Sequence, residues 1–322
     1  SLDDLTNDTA VLFFGVNVSC AKCHDHPLVE DWKQDHYYGM QSFFSRTFLT
    51  KKQDLGEKFY GEVKFTTTAG VEKQAKFMFL NGAVVDDGTP ELTDESRKKY
   101  DELVKKLQQD DKVEVSYPEF RPRERLVETA SHKDNDEFLA RNIVNRIWHR
   151  LTGRGIVDPP DQLHSENEPS HPELLDWLAR DTVEHGYDLK RLIRGIVLSE
   201  TYSRSSEWNS AAEPPEAQYF AVSIPRPLSP RQYAMSMLVA TRNPPHWEQW
   251  LTKPAEDWKR ERGGLEGAAN GWANQFEIPG ENFQVAVDEA LFFSNNDRID
   301  NDLLRDSGDR LVGFIKEVED SS

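Results

Sequence analysis

Cysteine is nearly missing: the 322 residues hold only Cys20 and Cys23, so all thiol chemistry is confined to one place. No apolar run approaches the ~18 residues that a membrane helix needs, so the chain has no transmembrane segment. Basic residues are scarce as well. Lys and Arg number 39 against 57 Asp and Glu, a formal net charge of −18. Such a chain repels phosphate backbones, which argues against a nucleic-acid role. The G-x-S-x-G, H-E-x-x-H, P-loop and Rossmann glycine patterns are absent, and no internal repeat is evident. Carboxylate pairs are plentiful only because the chain is acidic, so none stands out as a glycosidase pair. Aromatics are well supplied, with 17 Phe, 9 Tyr and 8 Trp. They can build a sizeable core, which excludes a disordered chain. The length suits about two ordinary domains or one large one. The sequence opens at Ser1 without Met or a signal peptide, as a processed or excised chain would.

Periodicity predicts a mainly α fold with a small antiparallel β-hairpin insertion. Residues 1–56 begin with the apolar stretch Ala10–Val16, read as the end of a buried helix, so upstream sequence is expected to be lost. A cysteine motif at a helix end follows, then a second short helix rich in Tyr and Phe at 37, 38, 43 and 44. Residues 57–111 switch period. Glu62–Thr68 and Lys73–Phe79 read as a hairpin turning near Gly70, and 93–111 as a polar connector helix. Residues 112–322 form a mainly α partner domain. Apolar side chains recur at helical spacing over Asp136–Trp148, stopped by Gly153 and Gly155. A second helix starts at Ser170, read as its cap, with Pro172 in the first turn. A third spans Leu189–Leu198. Beyond 204 the signal thins to Pro-rich turns, a helix at Pro230–Ala240, a Gly-rich patch at 263–271 and a last helix at 283–293.

Cys20-Ala21-Lys22-Cys23-His24 is the C-x-x-C-H pattern of covalent c-type haem attachment. Two thiols three residues apart on one turn reach the two vinyl groups of haem and form thioethers. His24 then offers its imidazole to the iron from the same face. Two other chemistries use the same atoms. One is a Cys20–Cys23 disulfide. The other is zinc held by Cys20, Cys23, His24 and His26, although ligands packed so closely close a tetrahedron awkwardly. A thioredoxin-like redox pair would want a βαβ context, which the sequence does not offer.

The run Cys20-Ala21-Lys22-Cys23-His24-Asp25-His26-Pro27, followed by Trp32, Tyr37-Tyr38-Gly39 and Phe43-Phe44, resembles the planctomycete cytochrome-c-like family. Downstream, Asn142-x-x-Asn145-Arg146-Ile147-Trp148, Gly153–Val157, Pro169–Asp176 and Tyr187–Ile193 resemble its usual partner, a planctomycete domain of unknown function. Pro122-Arg123, Pro227–Pro230 and Ala290–Asn295 are similar to further landmarks of that domain. The resemblance covers most of residues 10–297, with only the C-terminal part of the cytochrome-like domain present. It implies an exported (periplasmic or cell-surface) protein carrying haem c and its iron. The chain departs from the family at His36 and Met40, where an acidic and an aliphatic residue are usual.

An iron bound by His24 alone has an open position, and a second His or Met there makes an electron carrier. Met40, and less so His36, are the candidate distal ligands, on a segment whose aromatics suit a haem wall. His26 is too near His24 to cross the haem, so it is read as a supporting group. His171 reads as part of a helix cap; His132, His149, His164, His185 and His246 have no ligand spacing. Arg141, Arg146 and Arg154 around Asn142 and Asn145 read as a network stitching helices together, or as a clamp for the haem propionates. Three functions follow. The favoured one is electron transfer by a c-type haem to a cationic redox partner. A haem enzyme or small-molecule-binding haem with an open iron site is the second. A structural or carbohydrate-associated surface protein, its motif holding zinc or a disulfide, is the third.

Overall fold

The computed structural model describes residues 1–27, 29–133, 135–276 and 287–320. They form two compact units, Ser1–Ile224 and Pro225–Ser322. The first unit therefore takes in the cysteine motif, the hairpin insertion and the first half of the stretch read as the partner domain.

In the first unit, helix α1 (Leu2–Phe14) starts from Ser1, whose hydroxyl accepts the Asp4 amide, and stops at Gly15. Gly15 has φ +67°, and a Cβ there would collide with Leu163 and Asn142, so only glycine fits. Helix α2 (Gln34–Ser42) buries Tyr37, Gly39 and Met40. Three two-stranded antiparallel sheets follow: β1 (Thr47–Leu49) with β2 (Leu55–Glu57), β3 (Lys64–Thr66) with β4 (Glu72–Gln74), and β5 (Phe77–Met78) with β6 (Val84–Val85). The β3–β4 pair turns at Gly70 (φ +77°), as the period change predicts. The predicted second strand, however, breaks in two. Phe77 turns away to join the core beside Phe43 and Phe120, and pairs with Val85 through a turn at Gly82 (φ +84°). Arg46 is fully buried beneath these hairpins, its guanidinium on Asp87 (2.6 Å) and near the Phe77 and Phe120 rings.

Helix α3 (Asp94–Gln109), capped by Thr93, is the polar connector and buries only Leu107. Helices α4 (Pro122–Ala130), α5 (Asp136–Thr152), α6 (Pro172–Glu184) and α7 (Leu189–Val197) complete the unit. Gly153 ends α5 at φ +90°, as expected. Ser170 does not cap α6. Its hydroxyl donates to the Ile156 carbonyl, and His171 takes the cap position ahead of Pro172. The Arg–Asn network stitches, as read. Asn142 and Asn145 are fully buried. Asn142 donates to the Leu12 carbonyl and Arg146 to the Val11 carbonyl, tying α5 to the end of α1. Asn145 exchanges two hydrogen bonds with the backbone of Val157.

The second unit holds α8 (Pro230–Ala240), α9 (Pro244–Leu251), α10 (Ala255–Ala273), α11 (Val287–Asn295), a π-turn at Ile299–Leu303 and α12 (Leu311–Asp320). Ser229 and Gln232 form a capping box that starts α8. The Gly-rich patch is not a break but the interior of α10. Each glycine weakens a helix by about 1 kcal/mol relative to Ala. Burial of Leu265, Ala269 and Trp272 in one core with Leu238 outweighs that cost. Of the last predicted helix, 283–286 lie outside the described residues. The architecture is mainly α with small hairpins, and among the described residues no helix is long and apolar enough to cross a membrane.

Candidate functional site

The cysteine motif does not sit on the end of α1. After Gly15 the chain runs through buried Val16 and Val18, and a separate 3₁₀ turn, Ser19–Lys22, carries the first thiol. Ala21 is fully buried beneath this turn, whereas Cys20, Cys23 and His24 are exposed. Both thiols are free. The apolar residues thus hold the turn down and leave the three reactive side chains outward.

Helix α2 fixes the backbone of the motif. Tyr38 Oη donates to the Lys22 carbonyl (3.0 Å), and Gln34 Nε2 donates to the Cys23 carbonyl (3.2 Å). Asp25 Oδ1 accepts the amide of Gln34, the first residue of α2, at 3.0 Å and so caps the helix from the motif loop. Behind the turn, Asp3 receives Lys22 Nζ (2.8 Å), Tyr37 Oη (2.7 Å) and Gln41 Nε2 (2.9 Å). The Lys22 ammonium first, then the Tyr37 hydroxyl, hold the Asp3 carboxyl below the ordinary range. Burial pushes the Tyr37 and Tyr38 hydroxyls up, so both stay protonated donors.

His24 Nδ1 lies 2.7 Å from the Asp25 carbonyl oxygen. A carbonyl only accepts, so Nδ1 carries the proton and Nε2 keeps the lone pair a metal needs. This is the tautomer that a metal ligand requires, and Cys20 and Cys23 of the same motif are free thiols that could hold a haem through thioethers. Haem c fits these residues. It asks the protein for only one or two iron ligands, whereas among the described residues no group of three or more His, Cys, Asp and Glu side chains is placed to hold a bare metal ion.

The other residues singled out in the sequence fall elsewhere. Met40 is fully buried in the core of the first unit, with Phe14, Tyr37 and Phe43. His36 Nδ1 accepts the Lys33 amide at 3.1 Å, which leaves Nε2 as an N–H donor rather than a lone pair. Its ring meets Trp32 edge-on at 6.2 Å, and burial lowers its pKa. His26 is held through its backbone amide, which donates to the Trp32 carbonyl at 2.8 Å. Arg141 and Arg154 are paired with Asp176 and Asp158. Of the supporting residues, Asp25 and Tyr38 lie in the runs that carry the family resemblance, whereas Asp3 and Gln34 belong to no motif. His164, which sequence spacing passes over, lines a cleft together with His36.

Residues 1–48 match the PSCyt2 family model, "Protein of unknown function (DUF1549)". Residues 122–267 match that of PSD1, "Protein of unknown function (DUF1553)". These are the planctomycete cytochrome-like family and its partner domain, in the order that the sequence resemblance implies. No curated protein and no solved structure matches the chain.

Proposed function

Because this chain belongs to the planctomycete cytochrome-like PSCyt2 and partner PSD1 families, we propose that it is an exported c-type haem protein that transfers electrons. The observation that carries the reading is the pinned, outward-facing Cys20–His24 turn, with His24 Nδ1 on the Asp25 carbonyl. Cys20 and Cys23 would hold the haem through thioethers, and His24 Nε2 would offer its lone pair to the iron. Haem c, when bound, supplies a one-electron iron couple. The exposure of all three attaching residues keeps that couple within reach of a partner protein. A net charge of −18 favours a cationic one. Export follows from the chemistry, because thioether attachment takes place on the exported side of the membrane.

A second reading, an open-iron haem that binds a small molecule or acts as an enzyme, is favoured by the fate of the distal candidates. Met40 would have to leave the core, and His36 has given its Nδ1 lone pair to Lys33. The test is expression alongside a c-haem maturation system. The expected result is a pyridine haemochrome band of haem c that survives acid-acetone extraction. Zinc or a disulfide with no haem in that preparation would overturn the proposal. A ferric low-spin spectrum supports the carrier; a high-spin spectrum supports the open site.

A further inference from the structure

Three arginines of the second unit meet at one carboxylate. Arg242 lies in the corner between α8 and α9, and Arg310 directly precedes α12. The two pair as an isolated antiparallel bridge, and the Leu311 amide donates to the Thr241 carbonyl (2.9 Å) beside it. Residues directly opposite on such a bridge share a face, where like charges repel. Arg310 is only 8% exposed, so water screens little of that repulsion. Among the described residues, Asp309 is the only carboxylate paired with any of the three: Arg305 at 2.8 Å, Arg242 at 3.3 Å and Arg310 at 3.7 Å.

That carboxylate is already taken up. Its Oδ1 accepts from the Ser307 hydroxyl (2.6 Å) and Arg305 Nη2 (3.0 Å), and its Oδ2 from Arg305 Nη2 (2.8 Å) and Arg242 Nη1 (3.3 Å). Two oxygens offer about four acceptor directions, so Arg310 stays outside hydrogen-bond reach. The Ser307 hydroxyl first, then Arg305, hold the Asp309 carboxyl down at about 2. The nearby Asp302 and Asp306 are engaged by Arg298 (3.5 Å) and Lys316 (2.7 Å). Three guanidiniums against one carboxylate leave an excess of two positive charges, in a chain whose net charge is −18.

The donors divide into sealed and open ones. Nε of Arg242 and of Arg310 is closed to solvent and unpartnered, so no ligand touches either. Arg310 Nη1 donates to Thr241 Oγ1 (3.4 Å). Nη2 of Arg242 and of Arg310 has no hydrogen-bond partner among the described residues and is not sealed. Arg305 is half exposed, and its Nη1 and Nε are uncommitted. Each guanidinium thus keeps a donor beside a carboxylate that accepts no more. The positive end of α12 begins directly after Arg310 and adds charge of the same sign. Burial, and then Arg242, push the Arg310 guanidinium below its ordinary range, a cost that an anion offsets.

We propose that this corner binds a small dianionic oxyanion, a phosphate or sulfate group, through Nη2 of Arg242 and Arg310 and the exposed guanidinium of Arg305. Tetrahedral oxyanions offer several acceptor oxygens to planar guanidinium forks, and two negative charges match the local excess. The site uses none of the haem-attaching residues and stands whether or not haem is carried.

Calorimetric titration of the full chain with inorganic phosphate, sulfate and phenyl phosphate, beside acetate at matched ionic strength, tests it. Phosphate or sulfate should bind saturably at one site, at least tenfold tighter than acetate, and more weakly as sodium chloride is raised. Phenyl phosphate bound as tightly as inorganic phosphate supports a phosphate monoester as the ligand; weaker binding supports the free ion. Arg305→Gln should weaken binding at least tenfold, whereas Arg260→Gln, at an exposed arginine outside the cluster, should stay within twofold of wild type. Should Arg305→Gln not fold, slowed hydrogen exchange at 305–311 in the wild type on adding phosphate decides instead. No saturable binding, acetate bound equally well, a folded Arg305→Gln with unchanged affinity, or an equal loss in Arg260→Gln would each overturn the proposal.

Discussion

Asp25 acts on the motif twice, through its carbonyl on His24 Nδ1 and through its carboxylate on the Gln34 amide. The imidazole tautomer and the start of α2 are therefore set by one residue. Replacing either cysteine by Ser should leave at most one thioether. Replacing both should abolish haem retention after acid-acetone treatment, and unchanged retention in the double variant contradicts the attachment. Met40→Ala and His36→Ala, read by the ferric spin state, test the distal side. If the iron is open, neither changes it, and a low-to-high-spin switch in one variant names that residue as the ligand. The Cys20–His24 motif was legible as a pattern because its spacing is local, and its chemistry is what the proposed haem attachment would test. Asp3 and Gln34 were not, because they act through contacts to residues from nine to thirty-eight positions away, and such contacts leave no periodic trace.

Helices and the Gly70 hairpin were legible for the converse reason, since caps, stops and apolar period are local. Phe77 shows the limit. Its alternation continues a strand, but its ring is worth more in the core than in the ladder, so the strand breaks there. The contacts that join α5 to its neighbours are buried side-chain amides. Asn145→Ala removes both partners of the Val157 backbone, and each orphaned buried group costs about 1–3 kcal/mol. Urea unfolding should show a loss of at least about 2 kcal/mol, and a loss below 0.5 would contradict the network. Gly15→Ala should cost about 1–2 kcal/mol for its left-handed backbone alone, before the collision with Leu163 is counted.

At the scale of the whole molecule, charge and pH set the behaviour. His36 is packed against Trp32, and faces Asp35, Asp25 and Asp31 with Lys33 nearby; His164 faces Asp31, His26 and Glu166. Burial lowers both histidine pKa values despite the carboxylates. The unfolded chain therefore takes up these protons first, and stability falls as pH drops below about 6.5. Asp3 is also depressed, so its contribution is present above about pH 4 and is lost as pH falls further. Thermal unfolding followed between pH 8 and 3 should decline in those two windows; a melting temperature that rises from pH 7 to 5.5 would contradict the histidine assignment. The acidic surface should speed association with a cationic electron donor at low salt, and a rate indifferent to ionic strength would count against that steering.

The most direct measurement is the mass of the intact chain made with haem-maturation proteins present, under denaturing and reducing conditions. Attachment through Cys20 and Cys23 predicts a mass raised by one haem, lost when both cysteines are Ser. A chain at its bare polypeptide mass, with both thiols open to alkylation, would contradict it.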